Sequence, residues 1–243
     1  MALARSLLYA AIFYPITVLW CVAGLIVTIF GRKPTLAVVL GWTDFHHWLA
    51  RYVLGIRVRI EGTIPPGCNL IAAKHQSMFE TLEMVRVANL PIIVMKKELA
   101  DLPGFGFLTK RYGIIAVERS AGAKALRALV EQGREASASG RPVIIYPEGT
   151  RVPVGAAPPL KSGFAALYRA LGVPVIPVAL DSGRLWGRGF VHPSGTVTIK
   201  IGETIPAGLS RHEIDQRVHA AINVLNSRAE PRAQLPGGAD DAG

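Results

Sequence analysis

A run of 24 residues without a charged side chain, from Leu7 to Phe30, constrains the fold of this chain more than any other feature. As a helix, the run is long enough to cross a bilayer core of about 30 Å. It is too long for the apolar part of a signal peptide and lacks a suitably placed A-x-A cleavage site, so we expect it to be retained. Pro15 predicts a kink, which also suits a bent or re-entrant helix. The alternative is a helix buried in a protein core.

Positive charge is distributed unevenly around this run. Arg5 precedes it, whereas more basic residues follow it, namely Arg32, Lys33, Arg51, Arg57 and Arg59. Because lysine and arginine are enriched on the cytoplasmic side of membrane segments, everything after residue 31 is predicted to be cytoplasmic, at the inner (plasma) membrane. The whole chain has a net charge of +10, which favours an acidic partner such as nucleic acid or an anionic membrane. Since half of the residues are hydrophobic, we expect this acidic partner to be the membrane.

A second apolar segment, residues 35–56, is interrupted by polar and aromatic side chains, the composition of an interfacial amphipathic helix. We therefore expect residues 1–56 to form a membrane anchor of two helices, with the second helix at the level of the lipid headgroups. The neighbouring His46 and His47 have no carboxylate or cysteine at metal-ligand spacing. They are predicted to be a solvated or interfacial pair.

From residue 57 onward, apolar runs alternate with helical stretches. Strands are predicted at 57–61, 70–73, 91–95, 114–117, 142–146, 174–180 and 196–201, and helices at 79–88, 121–138, 162–171 and 210–227. This alternation predicts an α/β domain over residues 57–228, with a mixed, largely buried sheet flanked by helices. Residues 229–243, rich in proline and glycine, are predicted to be disordered. Cys21 and Cys68 indicate neither a disulfide framework nor a zinc site.

The first candidate site residues follow the predicted strand 70–73. His75 lies at the strand end, Ser77 can cap the next helix, and Glu80 completes an S-x-x-E capping box. Five helical steps rotate a side chain by about 140°. The two side chains therefore meet only if His75 lies in the turn before the helix and Glu80 points back towards it. The residues alone leave two alternatives open, a simple capping box and a catalytic pair.

Other candidates lie at the ends of later strands, where open α/β sheets bind their ligands. Arg119 follows strand 114–117, and its planar guanidinium is suited to a phosphate, although a solvated arginine is the alternative. Glu148-Gly149-Thr150-Arg151 follows strand 142–146, where Gly149 permits a positive φ or a close ligand. A phosphate would repel the Glu148 carboxylate, unless Glu148 holds an arginine or accepts a hydrogen bond from a substrate hydroxyl. An ordinary tight turn is the alternative for this segment.

In this order, four segments resemble the signatures of the glycerolipid acyltransferases. They are His75…Glu80, Gly113…Arg119, the E-G-T-R sequence at 148–151, and V-P-V-I-P-V at 173–178. The resemblance covers roughly residues 57–205 and is greatest to the bacterial 1-acyl-sn-glycerol-3-phosphate acyltransferases of the PlsC type, which are membrane-bound. One position departs from the family, because Glu80 stands where its members usually have an aspartate, one bond shorter.

The resemblance implies transfer of a fatty acyl group from acyl-CoA or acyl-carrier protein to the 2-hydroxyl of lysophosphatidic acid. It implies that His75 is the general base, that Glu80 orients it, and that Arg119 binds the acceptor's phosphate. The same resemblance implies that the E-G-T-R segment, Glu148, Gly149, Thr150 and Arg151, completes the acceptor site. Lys161 and the pairs Lys96-Lys97 and Lys110-Arg111 are secondary candidates for anionic groups. No metal ion or cofactor is expected.

Three alternatives to this function remain open from the sequence. The same chemistry can act on glycerol-3-phosphate, another lysophospholipid or lyso-ornithine lipid. A second alternative is a non-catalytic protein that binds anionic lipid; nucleic acid is not an expected partner, because the basic residues have no aromatic stacking platform beside them. The third is a metal-dependent hydrolase using His75 and Glu80, for which no second histidine lies at ligand spacing.

Overall fold

The computed structural model describes residues 1–118 and 122–226. Two sequence predictions lie outside the described residues. These are the phosphate-binding role of Arg119 and the disorder of the tail at 229–243.

The centre of the molecule is a seven-stranded sheet with the order β1-β7-β6-β2-β5-β3-β4. Its strands are β1 (Ile56–Glu61), β2 (Leu70–Ala73), β3 (Ile92–Lys96), β4 (Ile115–Val117), β5 (Val143–Ile145), β6 (Val175–Leu180) and β7 (Gly195–Ile201). β6 and β7 are antiparallel, and the other five neighbouring pairs are parallel. The predicted mixed α/β sheet is therefore confirmed, and every predicted strand is present to within a residue or two.

Helices cover both faces of the sheet, which is why its inner strands are apolar throughout. The helices are α1 (Ala2–Val27), α2 (Arg32–Leu49), α3 (Phe79–Val87), α4 (Lys97–Ala100), α5 (Phe105–Tyr112), α6 (Gly122–Ser137), α7 (Ser162–Leu171) and α8 (Arg211–Ile222). Successive side chains of a strand point to opposite faces. Ile71 of β2 accordingly packs in a core with α1, α2 and α3, while its neighbours Leu70 and Ala72 pack in a second core with α6, α7 and α8.

The first helix continues through Pro15, and with the turn Thr28–Phe30 it is long and apolar enough to cross a membrane. Only 17% of its most apolar stretch is buried, unlike a core helix. α1 packs against α2, where the Trp42 indole N–H donates to the Thr17 hydroxyl at 3.0 Å. At its other end, the Ser6 hydroxyl accepts from the backbone N–H of His192 at 2.9 Å. The predicted pair of N-terminal helices is thus present, and it lies along the α/β domain.

The prediction of a solvated histidine pair is wrong for His46. Its side chain is fully buried among the rings of Tyr9, Phe13, Phe79 and Trp186, and its Nδ1 lies 2.8 Å from the Tyr9 hydroxyl. Burial lowers the pKa of His46 to about 3, so the ring is neutral at physiological pH. The reason is that His46 lies on the face of α2 that packs onto the core.

His47, one helical step further round α2, contacts a different helix. Its Nδ1 lies 3.0 and 3.1 Å from the two carboxylate oxygens of Glu83, which is fully buried on α3. One turn along, Arg86 donates to Asp44 of α2 at 2.6 Å. These polar contacts join the second N-terminal helix directly to α3.

Two short helices, α4 and α5, occupy a segment for which the sequence predicts no helix. Pro103 and Gly104 lie between them and Gly106 lies in the first turn of α5, and all three are residues typical of loops. Gly106 is needed for packing rather than for a loop, because a Cβ at this position would overlap the carbonyl oxygen of Ala100. The glycine thus lets α5 approach the end of α4.

Candidate active site

The candidate site lies at the carboxyl edge of the sheet, where adjacent parallel strands end side by side. β2 lies between β6 and β5. The residues that follow these three strands are in contact: His75 follows β2, Tyr146 and Glu148 follow β5, and Ser182 follows β6. The site is thus assembled from segments more than 100 residues apart in sequence.

His75 and Glu80 face each other. His75 lies in the turn before α3, Glu80 is the second residue of α3, and its Oε1 lies 2.9 Å from His75 Nδ1. Because an ionised carboxylate only accepts hydrogen bonds, Nδ1 carries the proton and Nε2 keeps its lone pair. Within the described residues Nε2 has no hydrogen-bond partner, and the side chain is 16% exposed. The imidazole therefore has a basic nitrogen available to a ligand.

Besides its contact with His75, the carboxylate of Glu80 accepts hydrogen bonds from the backbone just before α3, as in the predicted capping box. Its Oε1 accepts from the backbone N–H groups of Gln76 at 2.7 Å and Ser77 at 2.6 Å. Its Oε2 accepts from the hydroxyls of Ser77 at 2.5 Å and Ser182 at 2.6 Å. The Ser77 hydroxyl in turn accepts from the Phe79 N–H at 3.1 Å. Five donors thus hold one carboxylate in a single orientation.

These donors decide the charge of Glu80. Burial alone favours the neutral acid, but the hydrogen bond and charge of His75, followed by the hydroxyls of Ser182 and Ser77, outweigh it. The net effect lowers the pKa of Glu80 below its ordinary value. A buried, ionised carboxylate beside an imidazole can stabilise the imidazolium that forms when the ring takes up a proton.

Tyr146 fixes the plane of the imidazole. Its ring stacks on that of His75 with the centroids 4.3 Å apart and an interplanar angle of 29°. Burial, reinforced by the charge of Glu80, raises the pKa of Tyr146 well above its ordinary value, so the phenol stays neutral. Sequence reasoning missed both Tyr146 and Ser182. The signal that identifies them is their position directly after apolar strands at the same sheet edge.

Glu148 faces the protein interior. It is 1% exposed, its Oε1 accepts from the Lys74 ammonium at 2.6 Å, and its Oε2 accepts from the backbone N–H of His75 at 3.0 Å. Its charged partner is Lys74 and not the arginine that was one of the two alternatives from the sequence. With both oxygens engaged inside the protein, Glu148 lies where it can position His75.

The rest of the E-G-T-R segment forms a loop tied to His75. Gly149 adopts a φ of +70°, and a Cβ there would lie 3.0 Å from Cγ of Lys161. The backbone N–H of Val152 donates to the carbonyl of His75 at 2.8 Å. Thr150 and Arg151 precede this contact and are exposed, so the Arg151 guanidinium is free to meet an anionic ligand.

An open cavity of about 240 Å³ is lined by residues that follow the strands ending at this edge of the sheet. They are Gln76, Val152, Pro153, Val154, Gly183, Gly187 and Arg188. The Gln76 side chain shapes it by accepting from the Gly183 N–H at 3.0 Å. In the described ranges, no group of three or more histidine, cysteine, aspartate or glutamate side chains is arranged to hold a metal ion.

Comparisons with known proteins agree on one family. A sequence model of the Acyltransferase family matches residues 55–181. The 1-acyl-sn-glycerol-3-phosphate acyltransferase of Pseudomonas aeruginosa is 37% identical over 196 residues, which cover 79% of this chain and 74% of that protein. The human 1-acyl-sn-glycerol-3-phosphate acyltransferase beta is 28% identical over 164 residues, which cover 65% of this chain and 58% of the human protein.

A solved structure has the same fold. The crystal structure of the 1-acyl-sn-glycerophosphate (LPA) acyltransferase, PlsC, from Thermotoga maritima matches with a TM-score of 0.75 and 24% sequence identity. The match covers 97% of this chain and all of the other chain, so the N-terminal helices belong to the shared fold.

Proposed function

This chain belongs to the acyltransferase family, and we propose that it transfers a fatty acyl group to the sn-2 hydroxyl of lysophosphatidic acid, forming phosphatidic acid. Two relatives from distant organisms, one bacterial and one human, carry the name of this activity. The range matched by the family contains His75, Glu80 and the E-G-T-R segment.

The observation that carries the proposal is the 2.9 Å contact between His75 Nδ1 and Glu80 Oε1, which leaves Nε2 available. In the proposed reaction, Nε2 removes the proton from the acceptor hydroxyl as its oxygen attacks the thioester carbonyl. Glu80 keeps the imidazole in this tautomer and stabilises the imidazolium. Collapse of the tetrahedral intermediate breaks the C–S bond, and the departing thiolate takes the proton from His75. The acceptor attacks directly, so no nucleophilic serine or cysteine takes part.

We assign the binding of the acceptor's phosphate to Arg119 and Arg151, with Gly149 and Thr150 shaping the loop beside it. A guanidinium can meet two phosphate oxygens at once. The acyl donor is a thioester, acyl-CoA or acyl-carrier protein, which is already activated, so the proposed reaction uses no further cofactor or metal ion.

The proposed location is the inner membrane, with the α/β domain on the cytoplasmic side. The exposed apolar face of α1 supports the membrane, and the basic residues that follow it support the cytoplasmic side.

Acyl transfer by the purified protein tests the proposal. Lysophosphatidic acid, glycerol-3-phosphate, other lysophospholipids and lyso-ornithine lipid are each offered with acyl-CoA and with acyl-carrier protein. We expect turnover of lysophosphatidic acid and its loss in His75→Ala. His212→Ala, at an exposed histidine of α8, is the matched control and retains activity. Turnover of a different acceptor alone would reassign the substrate, and full activity of His75→Ala would exclude the mechanism.

A further inference from the structure

Three large apolar side chains on α4, α5 and the turn between them are exposed. Leu99 is 46% exposed, Leu102 48% and Phe107 48%. We call these three residues the α4–α5 patch. The chemistry proposed above uses none of them. Exposed apolar side chains do not stabilise a surface that faces water, whereas they favour binding when the surface meets an apolar phase such as lipid.

α5 and the turn before it pack against the end of α1. Close approach between the two elements is seen at Gly24 of α1, where a Cβ would lie 2.9 Å from Cδ2 of Leu108. A second contact joins Gly104 to Leu25, at 3.6 Å from a Cβ on the glycine. On α1 and its following turn, several apolar residues in the same stretch are at least half exposed, namely Val22, Ile26, Ile29 and Phe30. The α4–α5 patch therefore lies beside the part of α1 that carries these exposed apolar side chains.

Basic side chains surround this surface. Lys110 and Arg111 are exposed at the end of α5, and the Arg111 guanidinium lies 5.5 Å from the centre of the Phe107 ring. Arg32 and Lys33 are exposed where α1 gives way to α2. Apolar side chains with a rim of long basic ones are typical of a protein face at the lipid headgroups. Glu98 and Asp101 offset part of this positive charge. Burial of the apolar side chains is therefore expected to contribute more to membrane binding than charge attraction does.

We propose that the α4–α5 patch inserts into a lipid bilayer surface, in the same leaflet that meets α1, as a second membrane contact of this chain. The inference rests on the membrane location proposed above. α4 begins directly after β3, at the sheet edge that also carries His75. Insertion at this position therefore holds the mouth of the candidate site at the membrane, where a lysolipid acceptor resides.

Environment-sensitive labels at single cysteines test this insertion. Leu102→Cys and Phe107→Cys are each labelled with a nitrobenzoxadiazole probe, in the full chain with Cys21 and Cys68 replaced by alanine. Val224→Cys is the matched control, because Val224 is 47% exposed and follows α8, on the opposite face of the sheet. Each protein is reconstituted in vesicles of phosphatidylcholine and phosphatidylglycerol, with and without brominated acyl chains.

We expect blue-shifted emission and quenching by the brominated chains at positions 102 and 107, and water-like, unquenched emission at position 224. Emission at 102 and 107 that matches position 224 would overturn the proposal, as would equal quenching at all three positions. Acyl transfer is measured on the same vesicles, which separates the two proposals. Quenching without turnover would support the membrane contact and refute the proposed activity. Turnover without quenching would support the activity and refute the membrane contact.

Discussion

Replacing Glu148 by glutamine tests whether this residue positions His75 or contacts the substrate. Lys74 is fully buried, and its ammonium donates at 2.6 Å to Glu148 Oε1, to the Ala156 carbonyl and to Asn223 Oδ1. In Glu148→Gln the ammonium loses its charged partner while it stays out of water. Breaking a buried pair from one side costs about 3–5 kcal/mol. Because neither side chain is exposed, solvent screening does not reduce this cost.

For a chain of this size, that loss corresponds to a fall in the unfolding midpoint of about 6–20 °C. The measurement is thermal unfolding in detergent micelles at a fixed scan rate, together with kcat and KM for acceptor and donor. We expect kcat to fall because the glutamine has one acceptor oxygen, for which the Lys74 ammonium and the backbone N–H of His75 compete. The double variant Lys74→Met/Glu148→Gln, which leaves no unpaired charge, should recover part of the stability.

Glu213→Gln is the matched control for Glu148→Gln. Glu213 pairs with Arg217 on the surface of α8, so its loss costs about 0.5 kcal/mol or less. A Glu148→Gln protein as stable as the unmodified chain, with unchanged kcat and a raised KM for the acceptor alone, would refute the positioning role. Glu148 would then bind the substrate, as the family resemblance implies.

Three further predictions concern Ser182, Arg151 and the buried histidine of α2. Ser182→Ala removes one hydrogen bond to the ionised Glu80, worth about 1.5–3 kcal/mol. We therefore expect kcat to fall about tenfold or more at unchanged KM. An unchanged kcat in a steady-state assay would contradict the role of this hydroxyl. Arg151→Gln should raise the KM for a phosphate-bearing acceptor about tenfold or more with little effect on kcat, and an equal rise for an acceptor without phosphate would contradict it. His46 is neutral in the folded protein down to about pH 3, whereas an unfolded histidine takes up a proton near pH 6.5. Its burial therefore stabilises the protein fully above pH 6.5, and this contribution is lost at up to about 1.4 kcal/mol per pH unit as the pH falls towards 3. Unfolding measured between pH 4.5 and 7 should show this slope, and His46→Phe should reduce it.

The sequence predicts the strands well because each is an apolar run between turn residues, and burial on both faces demands such runs. It does not predict α4 and α5, because Pro103, Gly104 and Gly106 are typical of loops, whereas Gly106 here serves the close packing of α5 on the end of α4. Periodicity identifies α2 but not which of its faces is buried, so the sequence predicts the wrong environment for His46.

Within the candidate site, the sequence identifies the residues that are near one another along the chain. The meeting of His75 with Glu80 follows from a five-residue spacing and a turn. By contrast, the contact between Lys74 and Glu148 joins positions 74 residues apart, and Ser182 reaches Glu80 across 102 positions. Such contacts depend on the order of strands in the sheet, which no local pattern encodes.

The N-terminal helices have a consequence for how this protein can be handled in solution. Tyr9, Phe13, Leu49 and Leu54 are buried in the same core as Phe79, the residue that precedes Glu80 on α3. Deleting residues 1–54 would therefore uncover the part of this sheet face that α1 and α2 cover, and it would remove His47 and Asp44, which contact Glu83 and Arg86 on α3. A fragment obtained by trimming the apolar end would leave α3, which carries Glu80, without the helices that pack against it. The apolar N-terminal segment is therefore also part of the folded core of this chain.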